Sequence, residues 1–330
     1  MATVFKTLAN SDISLTRTLL NEAIPITGTV VSGTYGDTNI KNYTHGMFQS
    51  VYDYPFQSSS ANHIFDITYG YSPALSSSLN TMNAKKLNMY NQMAQVLVGY
   101  DQTGSIRRFD RDGDFTVVTD SLDSCVFINY SRLLTKDEIR KQTYSLTLLS
   151  GATELTVHDH GAQTEYRVNS PAGEFAMLYT GSQALTGSGV GLIYYQAGVV
   201  VLTASSLLFS ASSPSMLPEP TFSGSSISGT ADEVRQAWVN NSFQNTTELN
   251  STIYFCRAAN SQFNYSSNKT YLSQSQIRVK GQDVAMPPVS YITSVGLYSS
   301  NNELLAVAKL SEPIKKDPST ELIFRVRLDY

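Results

Sequence analysis

The stretch Val190-Gly-Leu-Ile-Tyr-Tyr-Gln-Ala-Gly-Val-Val-Val-Leu-Thr-Ala204 is the most apolar part of the chain. It is shorter than the ~20 apolar residues that a membrane-spanning helix needs, and Gln196 and Gly198 interrupt it. β-Branched and aromatic residues on both sides of a glycine-containing turn favour two paired strands, predicted over 191–195 and 199–202. The segment therefore predicts an antiparallel β fold and no membrane anchor.

The composition of the whole chain agrees with a β fold. Aromatic residues make up 11%, with 20 Tyr and 14 Phe against one Trp, and charged residues only 15%. Such a composition is typical of strands and unlike that of disordered chains. The net charge of −4 argues against a protein that coats nucleic acid, since that function needs a basic excess. We predict a mainly β protein built from antiparallel sandwich-like or barrel-like modules.

Helices are predicted to be few. The longest spans 81–98, where Leu87, Tyr90 and Leu97 recur at helical spacing and Gly99 provides a stop. Shorter helices are predicted over 136–142, from a capping box of Thr135 and Glu138, and over 231–240. The stretch 11–26 suits a helix and strands equally. Short predicted strands fill much of the remainder, at 125–130, 144–149, 154–158, 165–168, 175–179, 251–257, 276–280, 289–298, 303–310 and 321–330.

The length of 330 residues suggests about two domains and permits a large core. A Ser-rich stretch with three Pro residues over 210–230 is typical of a linker or an extended arm. We predict an N-terminal β-rich assembly domain at 1–120 that contains the helix 81–98. A central β domain at 121–212, a linker or arm at 213–230 and a C-terminal β domain at 231–330 follow it.

The sequence His158-Asp159-His160 is the most metal-like motif. On a strand the two imidazoles would point to the same side, as a zinc or iron site requires. No third ligand is evident, and Gly161 allows a hairpin turn to explain the motif equally well. We predict no metal and no cofactor for this chain.

The sequence Asp110-Arg-Asp-Gly-Asp114 resembles the start of a calcium loop. Such a loop needs Gly at position 6 and Glu at position 12, where this chain has Phe115 and Ser121. An exposed turn is the better interpretation. The glycines at 187–191 lack the Gly-Lys-Ser/Thr of a phosphate loop. We predict no catalytic, cofactor-binding or metal residue, and therefore no enzyme.

Neither the N-terminus nor the cysteines indicate secretion. No basic region leads into an apolar stretch, so we expect a soluble product made in the cytoplasm. Cys125 and Cys256 lie in separate apolar runs. Two buried free thiols are the simpler interpretation, and a disulfide would require an oxidising compartment.

Two segments have the composition of contact surfaces. The run Gly46-Met-Phe-Gln-Ser-Val-Tyr-Asp-Tyr-Pro-Phe56 is dense in aromatic side chains, which interfaces favour. Packing in the core of the chain explains this run equally well. We predict that this segment and the 210–230 arm contact other subunits.

Five further segments are informative: His45-Gly-Met-Phe-Gln-Ser-Val-Tyr-Asp-Tyr54, Asn91-Gln-Met-Ala-Gln-Val-Leu-Val-Gly-Tyr100, Phe263-Asn-Tyr-Ser-Ser-Asn268, Val289-Ser-Tyr-Ile-Thr-Ser-Val-Gly-Leu-Tyr-Ser-Ser-Asn-Asn-Glu-Leu-Leu-Ala-Val-Ala-Lys-Leu-Ser311 and Pro313-Ile-Lys-Lys-Asp317. Together they resemble virion structural proteins of large contractile-tailed bacteriophages. The resemblance implies a non-enzymatic part of the tail, baseplate or neck, present in symmetric copies. Its partners would be copies of itself and other virion structural proteins, without a membrane or sequence-specific nucleic acid.

Two other functions remain open. A host-recognising or glycan-binding tail-fibre module would also suit the aromatic residues and polar loops, although such fibres usually carry repeats and no repeat is visible. A tail-associated hydrolase would need paired carboxylates that flank a cleft. The candidates Asp110, Asp112 and Asp114 crowd one turn instead.

Overall fold

A computed structural model describes residues 5–75, 81–115, 120–150, 153–180, 189–204, 226–264, 272–273, 276–277 and 289–330. The predicted mainly β architecture is confirmed, with antiparallel strands and few helices. The chain separates into two compact units. We call Leu20–Thr247 the central unit, and Met1–Leu19 together with Glu248–Tyr330 the terminal unit.

Five α-helices, two short 3₁₀-helices (Asn10–Asp12 and Pro73–Leu75) and twenty strands are described. The helices are α1 Gly28–Ser32, α2 Thr81–Leu97, α3 Arg132–Thr135, α4 Ala162–Glu165 and α5 Ile227–Gln236. The strands are β1 Ile13–Thr27, β2 Ile40–Asn42, β3 Gln49–Tyr52, β4 His63–Tyr71, β5 Phe109–Asp110, β6 Ser121–Leu122, β7 Ser124–Tyr130, β8 Glu138–Ile139, β9 Ser145–Ser150, β10 Thr153–His158, β11 Arg167–Ser170, β12 Gly173–Thr180, β13 Gly191–Tyr194, β14 Val199–Thr203, β15 Trp238–Ala258, β16 Leu272–Ser273, β17 Gln276–Ile277, β18 Ser290–Tyr298, β19 Leu304–Lys316 and β20 Leu322–Asp329.

The main sheet has the order β1-β15-β9-β10-β12-β13-β14-β7-β4-β3-β2. The hairpin predicted from the apolar segment lies in the middle of this sheet, where β13 pairs with β14 and Ile193 lies opposite Val200. Gly198 makes the connecting turn with a φ of +68°, which is a conformation that glycine adopts without strain. β14 then pairs with β7, which pairs with β4.

Both faces of this sheet are covered by apolar side chains. In β14, Val200 and Leu202 belong to one buried cluster, whereas Val199 and Val201 belong to a second. This alternation follows from the two-residue period of a strand. In the first cluster, the Phe65 ring stacks on that of Trp238 with centroids 4.9 Å apart. Two-sided burial explains the continuous apolar run at 190–204.

Helix α2 packs on β4 without a side chain between the two backbones. A Cβ atom on Gly70 would lie 2.7 Å from the Tyr90 nitrogen and 2.8 Å from the Lys86 oxygen. Tyr90, Ala94 and Leu97 of α2 are buried in the second cluster. The helix predicted over 81–98 is therefore confirmed with an end at Leu97.

The short helices differ from their predictions. α3 begins after Ser131, whose hydroxyl accepts a hydrogen bond from the Leu133 N–H, and Glu138 lies in β8. The predicted helix 136–142 is therefore wrong, because the cap that forms is four residues earlier. α5 begins at Ile227 after a Ser226 cap and ends at Gln236, and the last three residues of the predicted 231–240 helix are the start of β15.

The two units group the chain differently from the four predicted segments. The reason is pairing between distant strands: β15 reaches from Trp238 in the central unit to Ala258 in the terminal unit, and the ambiguous stretch 11–26 is mostly β1. Residues 205–225, which include much of the predicted arm, lie outside the described residues. The last part of that arm, from Ile227, is α5.

In the terminal unit, β20 pairs antiparallel with β15, with Ser251 opposite Asp329 and Ala258 opposite Leu322. β18 and β19 form a separate antiparallel hairpin. A turn at 299–303 connects the hairpin strands, where the Ser299 N–H donates to the Glu303 oxygen at 2.9 Å and Asn302 has a φ of +63°.

Candidate interaction surface

The β18–β19 hairpin has two strands and, among the described residues, no third strand beside it. No residue of β18 is buried, and Lys316 is the only buried residue of β19. A two-stranded hairpin in water is marginally stable because little of its apolar surface is removed from solvent. Its outer edges also leave backbone N–H and C=O groups that another strand can pair with.

Large apolar side chains project from this hairpin into solvent. Leu305 is 69% exposed, and Leu304 and Val307 are each 53% exposed. Tyr291 and Tyr298 on β18 are also exposed, and the Phe5 ring lies 4.6 Å from the Tyr298 ring. Clustered apolar side chains of this kind mark protein interaction sites more often than scattered ones do. We define the exposed apolar residues of β18 and β19 as the hairpin surface.

The described part of the terminal unit has little apolar interior. Of the 51 buried apolar residues in the described chain, only Ile253, Ala258, Val289 and Val326 belong to it. Both apolar clusters lie entirely in the central unit. The terminal unit nevertheless carries 14 of the 22 exposed large apolar residues of the described chain. The sequence analysis predicted strands at 289–298 and 303–310 but did not predict that their apolar side chains would be exposed.

Polar contacts hold the terminal unit together where apolar packing is sparse. The Lys316 ammonium is buried and donates to the Asn260 oxygen at 3.1 Å, to Asn264 Oδ1 at 3.0 Å and to the Asp317 oxygen at 2.9 Å. Arg257 pairs with Asp12 at 2.9 Å. The Lys316 contacts fix the base of the hairpin, and they involve none of its exposed apolar side chains.

The aromatic segment 46–56 contributes less exposed surface than predicted for an interface. β3 lies between β2 and β4, and Val51 is fully buried. Met47 packs against the first apolar cluster. Tyr54 is exposed and its ring lies 5.3 Å from that of Tyr35. Contact of this segment with other subunits stays a prediction.

The two histidines of the metal-like motif do lie together, with ring centroids of His158 and His160 4.9 Å apart. Burial, followed by the neighbouring His160, lowers the pKa of His158. Asp159 is turned to other partners: its carboxylate accepts from the N–H groups of Gln142 and Tyr144 and from the Tyr195 hydroxyl, at 2.7, 3.0 and 2.9 Å. No third ligand stands beside the imidazoles in the part of the chain that is described.

Asp110, Asp112 and Asp114 are brought together by the turn after β5. One carboxylate oxygen from each lies within 4.8 Å of the others. Burial, followed by the charge of Asp112, raises the pKa of Asp110 to about 6. Asp112 is exposed, but Asp110 is buried, so the predicted exposed turn is only partly what forms. The three carboxylates crowd one point and flank no cleft.

The remaining sequence features have structural explanations or lie outside the described residues. Gly191 opens β13, and a Cβ atom there would lie 2.2 Å from the Val201 oxygen. Residues 187 and 188 of the glycine cluster are not described. Cys125 is buried, Cys256 is half-buried, and both are free thiols.

No protein-family model, curated protein or solved structure matches this chain. Among the described helices, none combines the length and the apolar character that crossing a bilayer requires.

Proposed function

We propose that this chain is a structural subunit of a bacteriophage virion, placed in the tail baseplate or neck, that acts through subunit contacts without catalysis. The assembly role rests on the hairpin surface. Among the described residues, its two strands have no third strand beside them, and they expose Leu304, Leu305 and Val307. The virion setting rests on the resemblance of the segments quoted above to proteins of contractile-tailed phages.

The two units differ in how much apolar surface they leave for a partner to bury. Burying apolar surface contributes roughly 25 cal/mol per Å², and the central unit already uses its apolar side chains in two clusters. In the described part of the terminal unit, 14 large apolar side chains are exposed to solvent. A neighbouring subunit that covers the hairpin surface would gain this energy and could extend the hairpin into a larger sheet. Repeated identical contacts of this kind build symmetric rings.

The setting is tested by analysing the particles themselves. Mass spectrometry of virus particles purified from the source of the sequence should find this chain at a fixed copy number. Its absence from purified, infectious particles contradicts the proposal.

The contact surface is tested with two matched leucines. Leu305 of the hairpin surface and Leu133 of α3 are 69% and 67% exposed, so an aspartate at either position should leave the folded chain intact. We expect Leu305→Asp to reduce incorporation into particles by about tenfold or more, as for a central contact residue, and Leu133→Asp to leave it unchanged. Equal incorporation of both variants, with circular dichroism showing both folded, would count against the hairpin surface.

A further inference from the structure

The aspartates at 110, 112 and 114 form the one group of three potential metal ligands in the described part of the chain. They alternate along the sequence, and Gly113, with a φ of +71°, bends the chain between them. The Asp112 carboxylate also accepts from the Asp114 N–H at 3.1 Å. Acidic residues in a turn are common, so their proximity alone does not define a site.

The Asp110 carboxylate provides the second observation. This residue is only 2% exposed. Its Oδ1 accepts from the Arg111 N–H at 2.7 Å, whereas Oδ2 is buried and has no hydrogen-bond partner among the described residues. The same carboxyl group lies against those of Asp112 and Asp114. No described basic side chain forms an ion pair with Asp110 or Asp112.

Ionised carboxylates only accept hydrogen bonds. Neighbouring acceptors therefore cannot satisfy a buried carboxylate oxygen, and leaving it unpaired is costly. A cation between the oxygens would satisfy them and stabilise the ionised cluster. The geometry points to a cation because one side of the cluster is open, at the exposed Asp112, where water can complete the coordination.

We propose that Asp110, Asp112 and Asp114 bind one Ca²⁺ ion. Calcium takes six to eight oxygen ligands at about 2.3–2.6 Å, so oxygens on opposite sides of one ion are about 4.8 Å apart. The three carboxylate oxygens lie within that separation. The ligand set contains no imidazole or thiolate, which zinc and the softer metals prefer. Mg²⁺ demands a tighter octahedron and keeps more of its water, so we expect it to bind more weakly.

The ion would fasten this turn to the second apolar cluster of the central unit. A Cβ atom on Gly113 would lie 3.0 Å from the Phe175 ring and 3.1 Å from the Met177 sulfur, so the turn already touches that cluster. Asn169 donates to the Gly113 oxygen at 3.2 Å. Calcium binding should therefore raise the thermal stability of the central unit.

The experiment uses the full chain, stripped of metal with EDTA and titrated with CaCl₂ by isothermal calorimetry and thermal unfolding. We expect one Ca²⁺ per chain, a Tm that rises with calcium concentration, and a smaller response to MgCl₂. Asp112→Asn and Asp114→Asn should each weaken calcium binding by about tenfold or more. Asp101→Asn is the matched control: its carboxylate accepts from Thr103 and Ser105 in another exposed turn, and the calcium response should persist.

Asp110→Asn tests the buried carboxylate directly, even if calcium binding is weak. Removing the buried charge should raise the Tm of the metal-free chain and abolish its calcium response. No heat and no Tm shift at millimolar CaCl₂ would overturn the proposal, as would an unchanged response in both Asp112→Asn and Asp114→Asn. A metal-free chain that gains stability only on acidification, with no response to calcium, would show that a proton occupies this place and would also overturn it.

Discussion

The central and terminal units are built from similar strands but use their apolar residues in opposite ways. In the central unit, neighbouring residues of one strand enter two clusters, as Val200 and Val201 do. In the terminal unit, a strand of similar pattern exposes Leu305 and Val307, and a buried lysine, Lys316, holds its base. The described part of the central unit buries its apolar residues within the chain, whereas the exposed apolar residues of the terminal unit support the proposal that it contacts another subunit.

Truncating one leucine in each unit gives the largest expected difference. Leu146 of β9 is fully buried, so Leu146→Ala should cost about 2–5 kcal/mol of unfolding free energy through lost contacts and a cavity. Leu305→Ala deletes the same atoms from an exposed side chain, so it should change the free energy of unfolding by less than about 0.5 kcal/mol. Urea unfolding of the purified chain measures both values. Similar costs for the two variants would mean that the isolated chain already buries the hairpin surface, and the contrast between the units would fail.

A pair of lysines tests whether polar contacts hold the terminal unit. Lys316→Ala removes the ammonium that three oxygens accept from, and we expect it to destabilise the hairpin by about 1–3 kcal/mol. The neighbouring Lys315 has an exposed side chain 3.9 Å from Asp317, and Lys315→Ala should change the stability by less than about 0.5 kcal/mol. Hydrogen exchange of the β18 and β19 amides measures the local stability. Equal protection in both variants would exclude Lys316 as the main polar support.

The sequence predicted the central unit better than the terminal unit for a physical reason. The apolar run at 190–204 and the helix at 81–97 are local patterns that the strand and helix periods make visible. β15 is different: Trp238 and Ala258 lie at the ends of one strand because of partners as distant as Leu148 and Leu322. No local pattern encodes such partners, and the predicted boundaries near 230 could not anticipate them.

The same limit applies to the candidate sites. Alternation over 289–310 predicts a strand pair, but whether its apolar face is covered depends on what packs against it, and the sequence alone does not contain that information. The acidic turn has the same limit. Its three aspartates are evident in the sequence, but the burial of Asp110 depends on tertiary packing. That burial decides whether an exposed turn or a charged cluster forms.

Carboxyl groups in the two units should respond to pH with opposite signs, which is the most specific test. Burial raises the pKa of Asp159 in the central unit to about 6, against an ordinary value of 3.8. The folded chain then holds this proton more tightly than the unfolded chain does, so the contribution of Asp159 to stability falls as pH rises from about 4 to 6. Linkage limits this slope to about 1.4 kcal/mol per pH unit.

In the terminal unit, hydrogen bonds from Ser319 and Thr320 lower the pKa of Asp317 to about 2. Its contribution is therefore present above about pH 4 and is lost as pH falls toward 2. Urea unfolding at a series of pH values measures both effects. The advantage of the wild type over Asp159→Asn should shrink between pH 4 and 6, whereas its advantage over Asp317→Asn should grow between pH 2 and 4 and then remain constant.

Tyr195→Phe sharpens the assignment to Asp159. This variant deletes the hydroxyl that donates to Asp159 Oδ2 at 2.9 Å and that lowers its pKa. Without this donor the carboxylate is less well stabilised, so the decline in stability should extend to higher pH than in the wild type. If the stability of Tyr195→Phe declines over the same pH range as that of the wild type, another group titrates there. The pH response of the central unit could then not be assigned to the burial of Asp159.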